Sequence, residues 1–127
     1  MPVLKHIQVN RQITAPVYQR TCDLKDLTVG DDIADAVTAY QPGTIFAISG
    51  VVHRTMASNL SVRINVNGTP VATCVLSHSV AIDTAQIFTT FSGSPALNLD
   101  DVFTWDITAS DGSQDPTGVA SVTVKWQ

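Results

Sequence analysis

The residues best suited to chemistry in this 127-residue chain are ten serines, three histidines and eleven aspartates. These are the three residue types of a serine-hydrolase triad, in which a histidine base activates a serine nucleophile and a carboxylate orients the histidine. No G-x-S-x-G nucleophile elbow occurs, because Ser49-Gly50 and Ser92-Gly93-Ser94 lack the flanking pattern. We therefore expect no catalytic serine.

A pair of carboxylates is the second chemical option, since one can act as acid and the other as base. Asp83, Asp100, Asp101 and Asp106 could pair in this way, but nothing in the sequence singles out one of them as the acid. Asp100 and Asp101 more readily form a turn. The sequence thus predicts that the protein is not an enzyme.

Metal and cofactor sites are not expected either. His6, His53 and His78 have no partner at a metal-ligand spacing, and Cys74 and His78 are about 13 Å apart if they share a strand. The segment 111–115 (DGSQD) resembles a calcium loop faintly, but it lacks the remaining ligands, so a solvated turn is favoured. No phosphate loop is present.

Aromatic side chains leave two interpretations open. Trp105, Trp126 and Tyr40 could form a platform on which a sugar stacks, as in carbohydrate-binding modules. Alternatively, Trp105 belongs to the core and Trp126 anchors the last strand, which is the interpretation we favour.

The cysteines and the net charge limit the kinds of bond and of partner that we expect. Cys22 and Cys74 can be two reduced, partly buried thiols, or a disulfide if their strands are neighbours. The net charge is −4 and the seven Lys and Arg residues are scattered, which is unfavourable for binding nucleic acid or an anionic membrane. No apolar run approaches the roughly 20 residues of a membrane span.

The composition predicts the elements that would hold these residues. Val, Ile and Thr supply 40 of the 127 residues, and there is no Glu and only three Lys. β-Branched residues fit a pleated sheet, whereas Glu, Lys, Leu and Met are residues that favour helices. The sequence predicts one all-β domain, an antiparallel β-sandwich of eight or nine strands of the jelly-roll type.

The strands are predicted from alternation and turn residues. Asn67-Gly68 is a strong hairpin signal, and Gly50 suggests a bulge or a close backbone contact. Residues 32–40 fit either a strand, which we favour, or a short helix. The predicted strands cover residues 18–27, 44–55, 60–66, 71–76, 86–91, 102–108 and 119–126, and their inward residues include Val62, Ile64, Val66, Phe103, Trp105, Ile107, Val122 and Val124.

The first sixteen residues form a distinct segment in which apolar and polar residues are interleaved. We interpret residues 1–16 as an extended N-terminal arm or edge strand whose pairing partner is not the neighbouring strand of a hairpin. The β-sandwich domain then covers residues 17–127. A first strand of that domain is the alternative. The residues of this arm that we expect to bind a partner are Lys5, Ile7, Val9, Arg11 and Ile13.

Three segments carry a resemblance to a known class of proteins: DLTVG at 26–30, QPGTIF at 41–46 and VRINVNGT at 62–69. Over residues 18–127 the chain resembles the small jelly-roll capsid decoration (cement) proteins of tailed bacteriophages, and it is also similar to jelly-roll modules of tails and fibres. The shared motifs are turns and strands, so no functional residues are carried over.

The resemblance implies a non-enzymatic virion protein. It would be a homotrimer on the outer capsid surface, assembled in the host cytoplasm and bound to the major capsid protein at subunit junctions. The arm would reach the capsid or a neighbouring subunit. The alternative is a carbohydrate- or receptor-binding β-sandwich module of a phage tail or fibre.

Overall fold

The computed structural model describes residues 16–24, 29–30, 36–110 and 120–127. Within these ranges the chain forms strands and no helix, and thus no helix of the described residues is long and apolar enough to cross a membrane. The strands are β1 (Tyr18–Leu24), β2 (Val37–Thr38), β3 (Gly43–Val52), β4 (Leu60–Val66), β5 (Thr69–Leu76), β6 (Ala85–Phe88), β7 (Ala96–Leu97), β8 (Val102–Ala109) and β9 (Ala120–Trp126).

These strands pair as two antiparallel sheets. The first sheet has the order β1-β9-β3-β6, with β7 also paired to β3, and the second has the order β2-β8-β4-β5. Around the β4–β5 hairpin the pairing is nested, since β3 pairs with β6 and β7, β2 with β8, and β1 with β9. The predicted all-β antiparallel sandwich is confirmed.

The core lies between the two sheets, where alternate residues of each strand point inward. All eight residues predicted from alternation to face inward are buried. Trp126 of the first sheet contacts Phe103 of the second at a ring-centroid distance of 5.6 Å, so large aromatic rings join the two layers.

The predicted hairpin is present at Asn67-Gly68. Both residues have positive φ, 51° and 79°, which a type I′ turn requires. The Asn67 side chain donates to Asp101 Oδ1 at 2.9 Å and accepts from the Val102 backbone at the same distance. Asp101 is thus used in turn chemistry, as the sequence predicts, and it fastens the hairpin to the start of β8.

β3 spans Gly43–Val52 rather than the predicted residues 44–55, and its bulge is not at Gly50. The register shift lies between Ile45 and Ala47, so Phe46 is the bulged residue. Gly50 instead serves a close approach, because a Cβ at this position would overlap the Leu76 side chain of the opposite sheet. Of the two alternatives predicted for Gly50, the bulge is wrong and the close contact at its backbone is confirmed, with the Leu76 side chain as the neighbour.

Other boundaries shift by a few residues. The ambiguous stretch at residues 32–40 contains the two-residue strand β2, and residues 31–35 lie outside the described part. The two-residue strand β7 is not among the predicted strands. The predicted strand at 86–91 is present as β6, which ends at Phe88. Residues 1–15 of the arm and the calcium-like loop at 111–115 lie outside the described residues.

The contact between Gly50 and Leu76 can be tested. Gly50→Ala places a methyl group against a fully buried leucine, so we expect a loss of about 1–3 kcal/mol in the free energy of unfolding. Urea denaturation of Gly50→Ala, Leu76→Ala and the double variant measures the coupling between the two positions.

The double variant should lose less stability than the two single losses added together, because Leu76→Ala makes room for the new methyl. Strict additivity would show that the two positions do not touch.

Candidate functional site

The five arm residues that the sequence selects for partner binding, Lys5, Ile7, Val9, Arg11 and Ile13, lie outside the described residues. The structure therefore does not test their role. His6, the aspartates at 26, 31, 32 and 35, and residues 111–119 also lie outside the described residues, and the other candidates for chemistry lie within them.

The aromatic platform does not form from the two tryptophans. Trp105 and Trp126 are fully buried, and Trp126 donates from Nε1 to the Gln41 carbonyl at 2.9 Å. Trp105 Nε1 is buried with no hydrogen-bond partner in the described part of the chain. The core interpretation is confirmed for both rings, and the platform suggested for the carbohydrate-binding alternative is not formed.

Tyr40 is 42% exposed, but its ring is already engaged. Tyr18 and Trp126 each contact it at a centroid distance of 5.5 Å, and Arg20 Cζ lies 4.9 Å from its centroid. Arg20 also donates from Nε to the Thr38 carbonyl at 2.9 Å. This cluster fastens the residues after β2 to β1 and β9.

A serine, a histidine and an aspartate lie close together at the end of β3. No sequence motif indicates this arrangement. His53 Nδ1 lies 2.9 Å from Asp83 Oδ1, and its Nε2 lies 3.1 Å from Ser121 Oγ. When the ring proton is on Nδ1, His53 donates to Asp83 and accepts from Ser121, which is the connectivity of a catalytic triad. The residues come from three separate elements, so spacing alone could not reveal the arrangement.

The surroundings of this array favour a structural clamp. Ser121 lies on β9, which pairs with β1 on one side and β3 on the other, so nearby backbone N–H groups are engaged in the ladders. An oxyanion hole needs free donors beside the nucleophile. The Asp83 backbone also donates to the Val52 carbonyl at 2.8 Å, and the array therefore holds the loop after β5 against β3 and β9.

A second polar cluster joins β4 to β8. Arg63 contacts Asp106 Oδ2 through Nε at 2.9 Å and Nη2 at 2.8 Å, and Asn65 Nδ2 donates to the same oxygen at 2.7 Å. Asp106 is only 3% exposed although alternation places it on the outward face. Three of the four aspartates considered as acid–base partners thus have separate partners: Asp83 has His53, Asp101 has Asn67, and Asp106 has Arg63. The fourth, Asp100, lies in the turn before β8 with a positive φ of 67°.

The two cysteines are free and buried. Burial raises the pKa of both thiols to about 12, and the charge of Asp23 adds to the effect at Cys22. A reactive thiol needs the opposite shift, toward the thiolate. The interpretation of Cys22 and Cys74 as small apolar core residues agrees with this environment.

Four hydroxyl side chains lie near one another on the outer surface of the first sheet. Thr21, Thr123 and Ser49 lie side by side on β1, β9 and β3, and Thr21 Oγ1 is 2.8 Å from Thr123 Oγ1. Ser121 is in the next row. We call these four residues the hydroxyl face. Ser121 already contacts the His53 ring. Ile87 of β6 is the register partner of Ser49, and Ser49 is 9% exposed.

No protein-family model matches this sequence, and no curated protein matches it. The function has to be inferred from the molecule's own faces and edges.

The Arg63–Asp106 pair should contribute strongly to stability. Arg63→Met leaves the Asp106 carboxylate buried without its guanidinium, and we expect a loss of roughly 2–4 kcal/mol in the free energy of unfolding. Denaturant unfolding of Arg63→Met and of Arg63→Met/Asp106→Asn measures this. The double variant should be the more stable of the two, because it buries no unpaired charge; the reverse order would contradict the account.

The buried thiols predict a loss of stability at high pH. An unfolded thiol has a pKa of about 8.5, whereas the folded values are about 12. Between these values only the unfolded state releases the proton, so the free energy of unfolding falls as pH rises, by on the order of 2 kcal/mol per thiol at pH 10.

Cys22→Ala/Cys74→Ala is the control, since tyrosine and lysine also titrate in this range. Unfolding at pH 8 and pH 10 should show a smaller decrease in this variant than in the parent chain. Equal decreases would mean that the thiols are not protected in the folded state.

Proposed function

We propose that this chain is a non-enzymatic structural protein of a virion, a decoration protein that binds the outer surface of a capsid at junctions between major capsid protein subunits. The observation that carries the proposal is the hydroxyl face. Serine and threonine lose little conformational freedom on burial compared with Lys, Arg or Gln. These four residues can therefore be covered by another protein at low entropic cost.

The nested strand pairing supports a jelly roll as the finer description of the fold. Jelly rolls contain eight strands in two sheets built from two Greek keys. If the two-residue β7 is set aside, the described chain has eight strands in two four-stranded sheets, and its two halves pair around the Asn67-Gly68 turn. Jelly rolls serve as capsid and lectin domains, so the fold is compatible with the proposal without deciding it.

Multivalent attachment is the physical reason for a trimer. A clamp that touches several capsid subunits gains binding free energy only where those subunits are assembled, and linked weak contacts act at high effective concentration. In this proposal the arm residues Lys5, Ile7, Val9, Arg11 and Ile13 reach the capsid or a neighbouring copy. The hydroxyl face lies against the shell.

Capsid co-sedimentation tests this function. The probe is the purified head of the virus that encodes this chain, stripped of the chain itself. Thr123→Arg places a long charged side chain in the centre of the hydroxyl face and should reduce the bound fraction at least tenfold. Removal of residues 1–16 should abolish attachment while the fold, followed by circular dichroism, is retained.

Thr108→Arg is the matched control, because Thr108 is an exposed threonine on a strand of the other sheet. It should attach like the parent chain. Full attachment of both the Thr123→Arg variant and the truncated chain would overturn the proposal.

A further inference from the structure

β5 and β6 are the edge strands on the same side of the sandwich and do not pair with each other. Hydrogen bonds of two different kinds cover the two ends of the β5 edge. At one end the Gln86 amide accepts from the Ser77 backbone N–H at 2.9 Å and donates to its carbonyl at 3.3 Å. At the other end the Val71 carbonyl accepts from the backbone N–H groups of Ser92 and Gly93 at 2.7 and 3.1 Å. Both devices satisfy backbone groups that point away from β4.

Between these two ends the edge of β5 is unpaired. The backbone N–H and C=O groups of successive residues point to alternate sides of a strand. Those of Thr73 and Val75 therefore point away from β4, as those of Ser77 do. Their outward N–H and C=O groups have no hydrogen-bond partner among the described residues. Four backbone groups therefore remain open in a window of three residues, where native edges are normally covered.

A groove runs beside this window. It has a volume of about 440 Å³ and lies between Thr73 on one side and residues 87–92 on the other. Ile87 at its border is 57% exposed, and Val75 of the adjoining edge is 46% exposed. The residues that line the groove are Ile, Phe, Thr and Ser, so its chemistry suits an uncharged segment with apolar side chains.

The unpaired backbone groups of Thr73 and Val75 are best matched by an extended peptide segment. Strand addition satisfies edge backbone groups by hydrogen bonds and reads alternate side chains in a neighbouring pocket. A second copy could not offer its own β5 in full, since the segment at Ser92-Gly93 and the Gln86 side chain project at the two ends of the window. A single strand of about four residues fits between them.

This chain carries a segment of that kind ahead of β1. Residues 7–10 (IQVN) are uncharged, and in an extended strand Ile7 and Val9 share one face while Gln8 and Asn10 share the other. Ile7 and Val9 supply the apolar face that the groove requires, and the two amide side chains would face solvent.

The position of β1 decides which copy receives the segment. β1 is at the opposite edge of the first sheet from β6. From Asn10 to Pro16 the chain spans at most about 22 Å when extended. The edge strands of a four-stranded sheet are about 14 Å apart, and an added strand lies about one strand spacing further. The path around the sandwich lengthens this distance. The chain's own groove is therefore close to the limit of this reach, whereas the groove of a second copy docked beside β1 would lie well within it.

We propose that residues 7–10 of one copy bind as an added strand at the Thr73–Val75 edge of the next copy, with Ile7 and Val9 against the β5–β6 groove. The contact joins two different surfaces, so it repeats from copy to copy, and it closes as a ring when the rotation between copies is one third of a turn, as a trimer requires. This inference deepens the proposed function by naming the contact that holds the trimer together, and the number three rests on that function.

The test measures the mass of full-length chains by native mass spectrometry and sedimentation velocity at micromolar concentration. Ile7→Asp/Val9→Asp removes the apolar face of the arm. Val75→Pro removes one outward N–H without touching the β4 ladder, and Ile87→Asp is a second groove variant at an exposed position. Each variant should fall from the oligomeric mass of the parent to the single-chain mass of 13.5 kDa.

Mixing gives the decisive result. An arm variant retains an intact groove and a groove variant retains an intact arm, so the mixture should form a pair of twice the 13.5 kDa chain mass and no ring. Gln8→Asp/Asn10→Asp adds the same charge to the opposite face of the arm, and Val75→Thr keeps the N–H; both controls should assemble like the parent.

A parent chain that is monomeric, folded variants that keep the parent mass, or a mixture that stays at the single-chain mass would each overturn the inference. Near-ultraviolet circular dichroism establishes that each variant is folded. The capsid assay is separate: a chain that assembles but does not bind heads contradicts the proposed function alone, and a monomer that binds heads contradicts this inference alone.

Discussion

Burial of the inward side chains between the two sheets is the constraint on which the rest of the structure depends. The interior strands β9, β3, β8 and β4 have neighbours on both sides, so nearly all their backbone groups are used in ladders. Trp126 joins the layers through Phe103 and holds Tyr18 and Tyr40 at the rim. What remains for other molecules is the outward faces and the sheet edges.

Alternation predicted the inward faces of β4, β8 and β9, because a half-buried strand must repeat every second residue. The Asn67-Gly68 turn was equally predictable, since few residues tolerate positive φ. Burial of Asp106 was not, because it depends on Arg63 and Asn65, which lie on another strand. The Ser121–His53–Asp83 array escaped prediction for the same reason: pairing between distant strands is set by the whole fold.

The polar clusters of the molecule illustrate how similar residues acquire different roles. His53 holds an exposed loop on the sheet, whereas Arg63 neutralises a carboxylate that the sheet has buried. Both connect strands that are far apart in sequence. The proposed contacts with other protein chains rest on two different features, the open β5 edge and the hydroxyl face.

Self-association is the central claim, and sedimentation equilibrium of the full-length chain tests it most directly. The account predicts a species of three times the 13.5 kDa chain mass that persists on dilution through the micromolar range. A folded protein that remains at the single-chain mass throughout this range would contradict it.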